Sequence, residues 1–156
     1  MDNKTAVTRY LDEKKIPYRL FQHTRPIHSL EEAAEERGHR PGQIIRSILF
    51  RLAQGEHLMV LVAGPHQVSW RALRSFLNQS RLTMASEAEV LEATGYQIGA
   101  VSPFGLPNPI RILVDENVFL EEEISIGSGV RGLAVIMDRS AFLEALGAIE
   151  RGHFIE

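Results

Sequence analysis

Gln43–Gly64, QIIRSILFRLAQGEHLMVLVAG, is the stretch on which the fold turns. QIIRSILFRL (43–52) and HLMVLVAG (57–64) are rich in β-branched and other apolar residues, and AQGE (53–56) between them contains a glycine. Two such runs across so short a connection read as a β-hairpin. The first run also carries a charge. In a strand with alternating faces, Ile44, Arg46 and Ile48 share one side, and Ile45, Ser47 and Leu49 share the other. A guanidinium on an apolar strand is costly to bury unless it is paired or lines a pocket. Arg46 therefore either lies on an edge strand in water or grips a carboxylate or phosphate in a pocket.

Working outward, NKTAVTRYLDEKK (3–15) has helical apolar spacing, and Pro17 stops it before the strand-like IPYRLFQH (16–23). HSLEEAAEERG (28–38) reads as a helix with Ser29 as N-cap, Glu32 completing a capping box and Gly38 at the stop. Beyond the hairpin, SWRALRSFLN (69–78) is helical with Ser69 as cap, and RLTMA (81–85) is a short strand. SEAEVLEATG (86–95) repeats the capping box with Ser86 and Glu89 and ends at Gly95. IRILVDE, EEISIG and GLAVIM supply three more strands, and DRSAFLEALGAIE (138–150) reads as a terminal helix capped by Asp138 or Ser140. Helices and strands mix without a steady βαβ rhythm. That predicts an α/β or α+β domain around a mixed, curved sheet, and 156 residues fit one domain spanning 1–156.

The chain has no cysteine, so it forms neither disulfides nor thiolate metal sites. No apolar run approaches a membrane span, and the polar N-terminus lacks the apolar core of a secretory signal; a cytoplasmic location is expected. The sequons NKT and NQS are then coincidental. Net charge is −3, so the molecule as a whole is no polyanion-binding surface. Its lysines are Lys4, Lys14 and Lys15, which excludes lysine chemistry beyond residue 15. Arg71 and Arg74 share a helix face, Arg81 lies beside them, and Arg37 and Arg40 follow another helix; these are candidates for a modest basic patch.

Familiar catalytic patterns are missing. The six histidines, His23, His28, His39, His57, His66 and His153, show no helical i, i+3 or i, i+4 spacing and no HExxH, so no metal site is expected. No GxSxG elbow occurs. GSGVRG (127–132) fits the letter of GxGxxG, but a β-like run follows it instead of a helix. A tight turn between strands, with amides able to face an anion, is the better reading. TGYQIGAVSPFGLPNP (94–109) packs three glycines and three prolines into sixteen residues. Gly99 and Gly105 permit unusual backbone, and Pro103 stiffens it. Such a loop either makes a rigid crossover or presents backbone groups to a small polar ligand.

Taken in order, IIRSILF, LVAGPHQVSWRAL, MASEAEVLEATGYQIGAVSPFG, ILVDE and IGSGVRGL resemble the YbaK/prolyl-tRNA-synthetase-associated editing domain family over nearly the whole chain. The most specific part, TGYQIGAVSPFG, is similar to that family's TGY-x-x-G-x-x-S-P-x-G signature. The resemblance implies a compact domain with a barrel-like sheet surrounded by helices. It implies a free-standing trans-editing deacylase, with no cofactor and no metal, that hydrolyses the ester of a mischarged tRNA, Cys- or Ala-tRNA(Pro). The implied partners are the aminoacyl-tRNA acceptor end and a prolyl-tRNA synthetase. The implied catalytic residues are Arg46, Gly99 and Ser102. Ser47, Thr94, Gly95, Ala100, Val101, Pro103, Gly127, Ser128 and Gly129 would bind substrate, with the amides of Gly99–Ser102 orienting the carbonyl.

Two departures stand out. Arg46-Ser47-Ile48 replaces a typical K-[ST]-L, which keeps an electrostatic anchor but removes a proton shuttle. Pro65 and His66 stand where many members carry an acidic residue. A non-catalytic aminoacyl- or nucleotide-binding module, or a synthetase-docking partner, is the alternative function. The sequence leaves oligomeric state open.

Overall fold

The computed structural model describes residues 4–156; Asn3, at the start of the predicted first helix and of the NKT sequon, lies outside them. Helix α1 (Ala6–Glu13) begins at Thr5, whose hydroxyl accepts the Thr8 N–H at 3.1 Å while the Thr8 hydroxyl accepts the Thr5 N–H at 2.7 Å. Strand β1 (Arg19–Gln22) follows, then α2 (Leu30–Arg37). Ser29 caps α2 as expected, accepting the Glu32 N–H at 3.0 Å, and Gly38 ends it at φ +72°. The reciprocal half of the predicted box is absent: the Glu32 carboxylate accepts the His28 N–H instead.

The hairpin is present as β2 (Ile45–Leu52) and β3 (His57–Ala63), antiparallel from Ile45 opposite Ala63 to Arg51 opposite His57. Helix α3 (Trp70–Leu77) is capped by Ser69, and β4 (Leu82–Met84) pairs with the far end of β2. Helix α4 (Glu87–Thr94) carries the full Ser86/Glu89 box and ends at Gly95 with φ +81°. Strands β5 (Arg111–Asp115), β6 (Glu123–Gly127) and β7 (Leu133–Asp138) lie where the sequence puts them. Helix α5 (Arg139–Leu146) is shorter than predicted and takes no side-chain cap from Asp138. Gly147, at φ +70°, turns the chain out of the helix, and Glu150–Gly152 become β8, parallel to β5.

The mixed α/β class holds, but the barrel-like sheet resolves into two sheets, neither closed. One has the order β1-β7-β6 and is antiparallel; the other, β4-β2-β3-β5-β8, is mixed. Their inner faces, with α1, α4 and α5, enclose a core that includes Leu49, Leu61, Val114, Ile126, Val135 and Phe142. The other face of β2, β3 and β5 buries Phe50, Leu58, Val60, Val62 and Leu113 against Leu73 and Leu77 of α3 and against Phe154. Strand β3 is thus apolar on both faces because both are covered.

Candidate functional site

Among the described residues, one parallel β-bridge, between Ile44 and Ser125, links the edges of the two sheets. Past it, β2 and β6 diverge without further pairing among the described residues. The register tells what this opens. The Gly64 N–H donates to the Ile44 carbonyl, and the Leu52 N–H to the Glu56 carbonyl, so the even-numbered residues of β2 bond β3. The N–H and C=O groups of Ile45, Ser47 and Leu49 therefore point away from β3. Leu49 gives its carbonyl to the Ala85 N–H at 3.0 Å. Ser47 faces the open fork.

A cavity of about 360 Å³ fills this fork. Its walls are Ile45, Ser47 and Leu49 of β2, Ile126 and Gly127 of β6, and Gly99 and Val101 of the signature loop. A wider groove of about 900 Å³ adjoins it, walled by Arg25, Ile27, Leu30 and Arg131. Both cavities share Arg37, Ile44, Arg46, Ile98, Gly99 and Gly132, which form a waist between them. Among the described residues no carboxylate lines either one. The Ser47 hydroxyl is buried and has no hydrogen-bond partner among the described residues.

Arg46 lies on a central strand, not an edge strand, and lines both cavities. It is half-buried, and burial holds its pKa below the ordinary arginine value. Its Nε donates to the Gly64 carbonyl at 2.8 Å and one terminal nitrogen to the His66 carbonyl. His66 thus supplies the site with a backbone oxygen, while its ring lines neither cavity. Arg37 is deeper, and burial pushes its pKa down to about 10. Its Nε donates to His23 Nε2 at 3.0 Å and its Nη1 to the Ser125 hydroxyl at 2.8 Å.

The signature loop is bolted from within. Thr94 Oγ1 donates to the Val90 carbonyl at 2.6 Å and accepts the Tyr96 N–H at 3.0 Å. The Tyr96 hydroxyl, its pKa raised to about 12 by burial, donates to the Phe104 carbonyl at 2.5 Å. Ser102 Oγ accepts the Phe104 N–H at 3.2 Å, and Ser128 Oγ bonds the backbone of Val130. The hydroxyls of Thr94, Ser102 and Ser128 are therefore committed to loop backbone and buried, and they line neither cavity. Ala100 and Pro103 are buried as well, and Gly95 is the exposed cap of α4. Gly129 packs beside the Tyr96 ring. Of the predicted site residues, the structure gathers Arg46, Ser47, Gly99, Val101 and Gly127 around one space. Arg131 fixes the loop from the groove side, donating twice to the Ile98 carbonyl at 3.0 and 2.8 Å.

GSGVRG is the turn of the β6–β7 hairpin, with no helix after it, so the dinucleotide fingerprint is ruled out. Arg40 pairs with Glu121 at the surface, whereas Arg37 points inward instead of joining a basic patch. Sequence reading missed Arg37, yet a signal existed. Leu30, Ala33, Ala34 and Arg37 stand at i, i+3, i+4 and i+7, on the apolar face of α2.

The aminoacyl-tRNA editing domain model matches residues 24–145, which contain every wall of both cavities except His23. The chain belongs to the aminoacyl-tRNA editing domain family. Among its relatives, the prolyl-tRNA editing protein ProX of Acetoanaerobium sticklandii is 30% identical over 123 residues, covering 76% of this chain and 74% of that protein. The proline–tRNA ligase of Thermosipho melanesiensis is also 30% identical, over 74% of this chain but only 20% of the ligase. The match thus spans about a fifth of that ligase. A crystal structure described as a candidate trans-editing enzyme for prolyl tRNA synthetase superposes with a TM-score of 0.86 at 22% identity, covering 99% of both chains. At that identity the likeness establishes the fold of the editing domain.

Among the described residues no helix is long and apolar enough to cross a membrane. No cluster of three metal-ligating side chains occurs among them.

Proposed function

We propose that this editing domain hydrolyses the ester joining a wrong amino acid to tRNA, with Cys- or Ala-tRNA(Pro) as substrate. The observation that carries the reading is the waist. A small, mostly apolar cavity and a wide arginine-walled groove meet at Arg46 and Gly99. An aminoacyl end has the same two parts: a side chain of modest volume and a phosphate-bearing nucleotide, joined by one ester. With the side chain in the fork and the terminal adenosine in the groove, the ester carbonyl lies at the waist.

Each residue then has a task. The Arg46 guanidinium remains protonated near neutral pH and favours charge developing on the carbonyl oxygen. Gly99, at φ +95°, lets the loop backbone turn its polar groups toward the ester. The orphaned Ser47 hydroxyl and the open edge of β2 offer hydrogen bonds to the aminoacyl group. Arg25 and Arg131 face the phosphates. The committed hydroxyls of Thr94, Ser102 and Ser128 leave attack to water: its oxygen bonds the carbonyl carbon, the tetrahedral adduct collapses, and the ribose hydroxyl departs with the proton. In a cysteinyl ester the substrate's own thiol can attack instead. ProX and the proline–tRNA ligases, by their names, support the proline system as the setting and a prolyl-tRNA synthetase as a partner.

Single-turnover deacylation of Cys-, Ala- and Ser-tRNA(Pro), with correctly charged tRNAs as controls, tests the reading. Selective hydrolysis of one mischarged ester is expected. A rate equal to spontaneous hydrolysis for every ester, from folded protein, would leave a ligand-binding module.

A further inference from the structure

We infer that Arg37 is a second, oxyanion-holding cation at the waist, positioned by His23 and Glu36. The inference rests on the deacylase reading above. Arg37 sits on the face of α2 that otherwise carries Leu30, Ala33 and Ala34, where an unused charge is expensive. It lines both cavities and is partly buried at their junction.

The hydrogen bonds show how it is aimed. Arg37 Nε can only donate, so His23 Nε2 accepts, at 3.0 Å. The ring proton is then on Nδ1, which donates to Glu36 Oε1 at 3.1 Å. Glu36 is itself fixed by the Thr24 N–H at 2.9 Å and by Arg25 Nε at 3.1 Å. On the other side, Nη1 is held by the Ser125 hydroxyl. Nη2 has no partner among the described residues. Glu36 makes no close ion pair with the guanidinium; it hydrogen-bonds the imidazole that Arg37 donates to, and its charge acts on Arg37 from beyond contact distance, while no carboxylate among the described residues lines either cavity. Arg46 is held in the same way, its Nε and one terminal nitrogen given to the carbonyls of Gly64 and His66, so each guanidinium keeps one terminal nitrogen for the waist. The free edge of a rigidly held guanidinium is what stabilises an oxygen that becomes negative during reaction.

The neutral Nδ1–H form of His23 is required. Protonated His23 cannot accept from Arg37, and it adds a positive charge beside it. The groups facing His23 are Glu36 and Arg37 of α2, the Phe21 ring of β1 and, through Glu36, Arg25; Arg131 lines the same groove.

Two adenosine probes test this by calorimetry on the full chain. One carries the amino acid through a 3′-amide, a neutral mimic of the bound ester. The other carries a tetrahedral, anionic 3′-phosphonate in its place. Wild type, Arg37→Met and Arg37→Lys are compared, with thermal unfolding as a check on folding. The expected result is that Arg37→Met loses at least about tenfold in phosphonate affinity and less than about twofold for the amide, with Arg37→Lys between the two. Single-turnover rate falls by roughly 10²-fold in Arg37→Met while half-saturation is unchanged. Equal losses for both probes, or no loss for either, would overturn the assignment. If the wild type binds both probes and Arg37→Met is not selective, the assignment alone fails. If the wild type binds neither and hydrolyses no ester, the deacylase reading fails and takes the assignment with it.

Discussion

Gly127 of β6 lies directly against the Val101 carbonyl of the signature loop, so close that a β-carbon there would collide with it and stand 2.9 Å from the Ala100 carbonyl oxygen. The missing side chain is what lets loop and strand share one wall of the fork. Gly127→Ala must push the loop outward. The expected cost is about 1–3 kcal/mol, the usual range for overpacking, read as a lower Tm, together with loss of deacylation. A variant with unchanged Tm and activity would show that the loop has room to move.

The Tyr96 hydroxyl ties the start of the signature loop to Phe104, whose ring stacks on Tyr10 and meets Phe142 edge-on. Tyr96→Phe removes one partner and leaves the buried Phe104 carbonyl without this donor. Denaturant unfolding should register a loss of about 1–3 kcal/mol, the penalty of an unmet buried polar group. Activity should fall less than in Gly127→Ala, because the ring still fills its place.

The opposite end of β2 offers a pH test. Glu89 is held near a pKa of about 2, below its ordinary 4.5, by Arg51, then His57 and the Ser86 N–H. A depressed folded-state pKa stabilises above the unfolded value, and that stability is lost as pH falls through the folded one. The stability gap between wild type and Glu89→Gln should therefore be full at neutral pH and close between about pH 4.5 and about pH 2. A gap that stays constant across that window would mean that the ion pairs contribute nothing; they are solvent-exposed enough for the effect to be small.

Local signals carried most of the fold. Ser29, Ser69 and Ser86 mark the helix starts they cap, and the hairpin followed from residues 43–64 alone. Strand β8 was hidden because Glu150–Gly152 has no apolar alternation and owes its place to β5, a partner 35 or more residues away. The fork was equally invisible, since it depends on which edge of β2 remains unpaired. For the same reason Thr94, Ser102 and Ser128 looked like ligand-binding hydroxyls, although each serves its own loop. Arg37 looked like a surface charge until the packing of Ala33 and Ala34 fixed which way α2 faces.

Arg46 and Gly99 carry the central claim, and single-turnover hydrolysis of Cys- and Ala-tRNA(Pro) by wild type, Arg46→Ala, Arg46→Lys and Gly99→Ala measures it most directly. The wild type should hydrolyse one ester selectively, with a loss of at least about tenfold in Arg46→Ala and in Gly99→Ala, as expected when an electrostatic anchor or its supporting loop is removed. Wild-type protein that is inert on every ester, with hydrolysis appearing only in Arg46→Lys, would contradict the claim and establish a pocket that binds without catalysing.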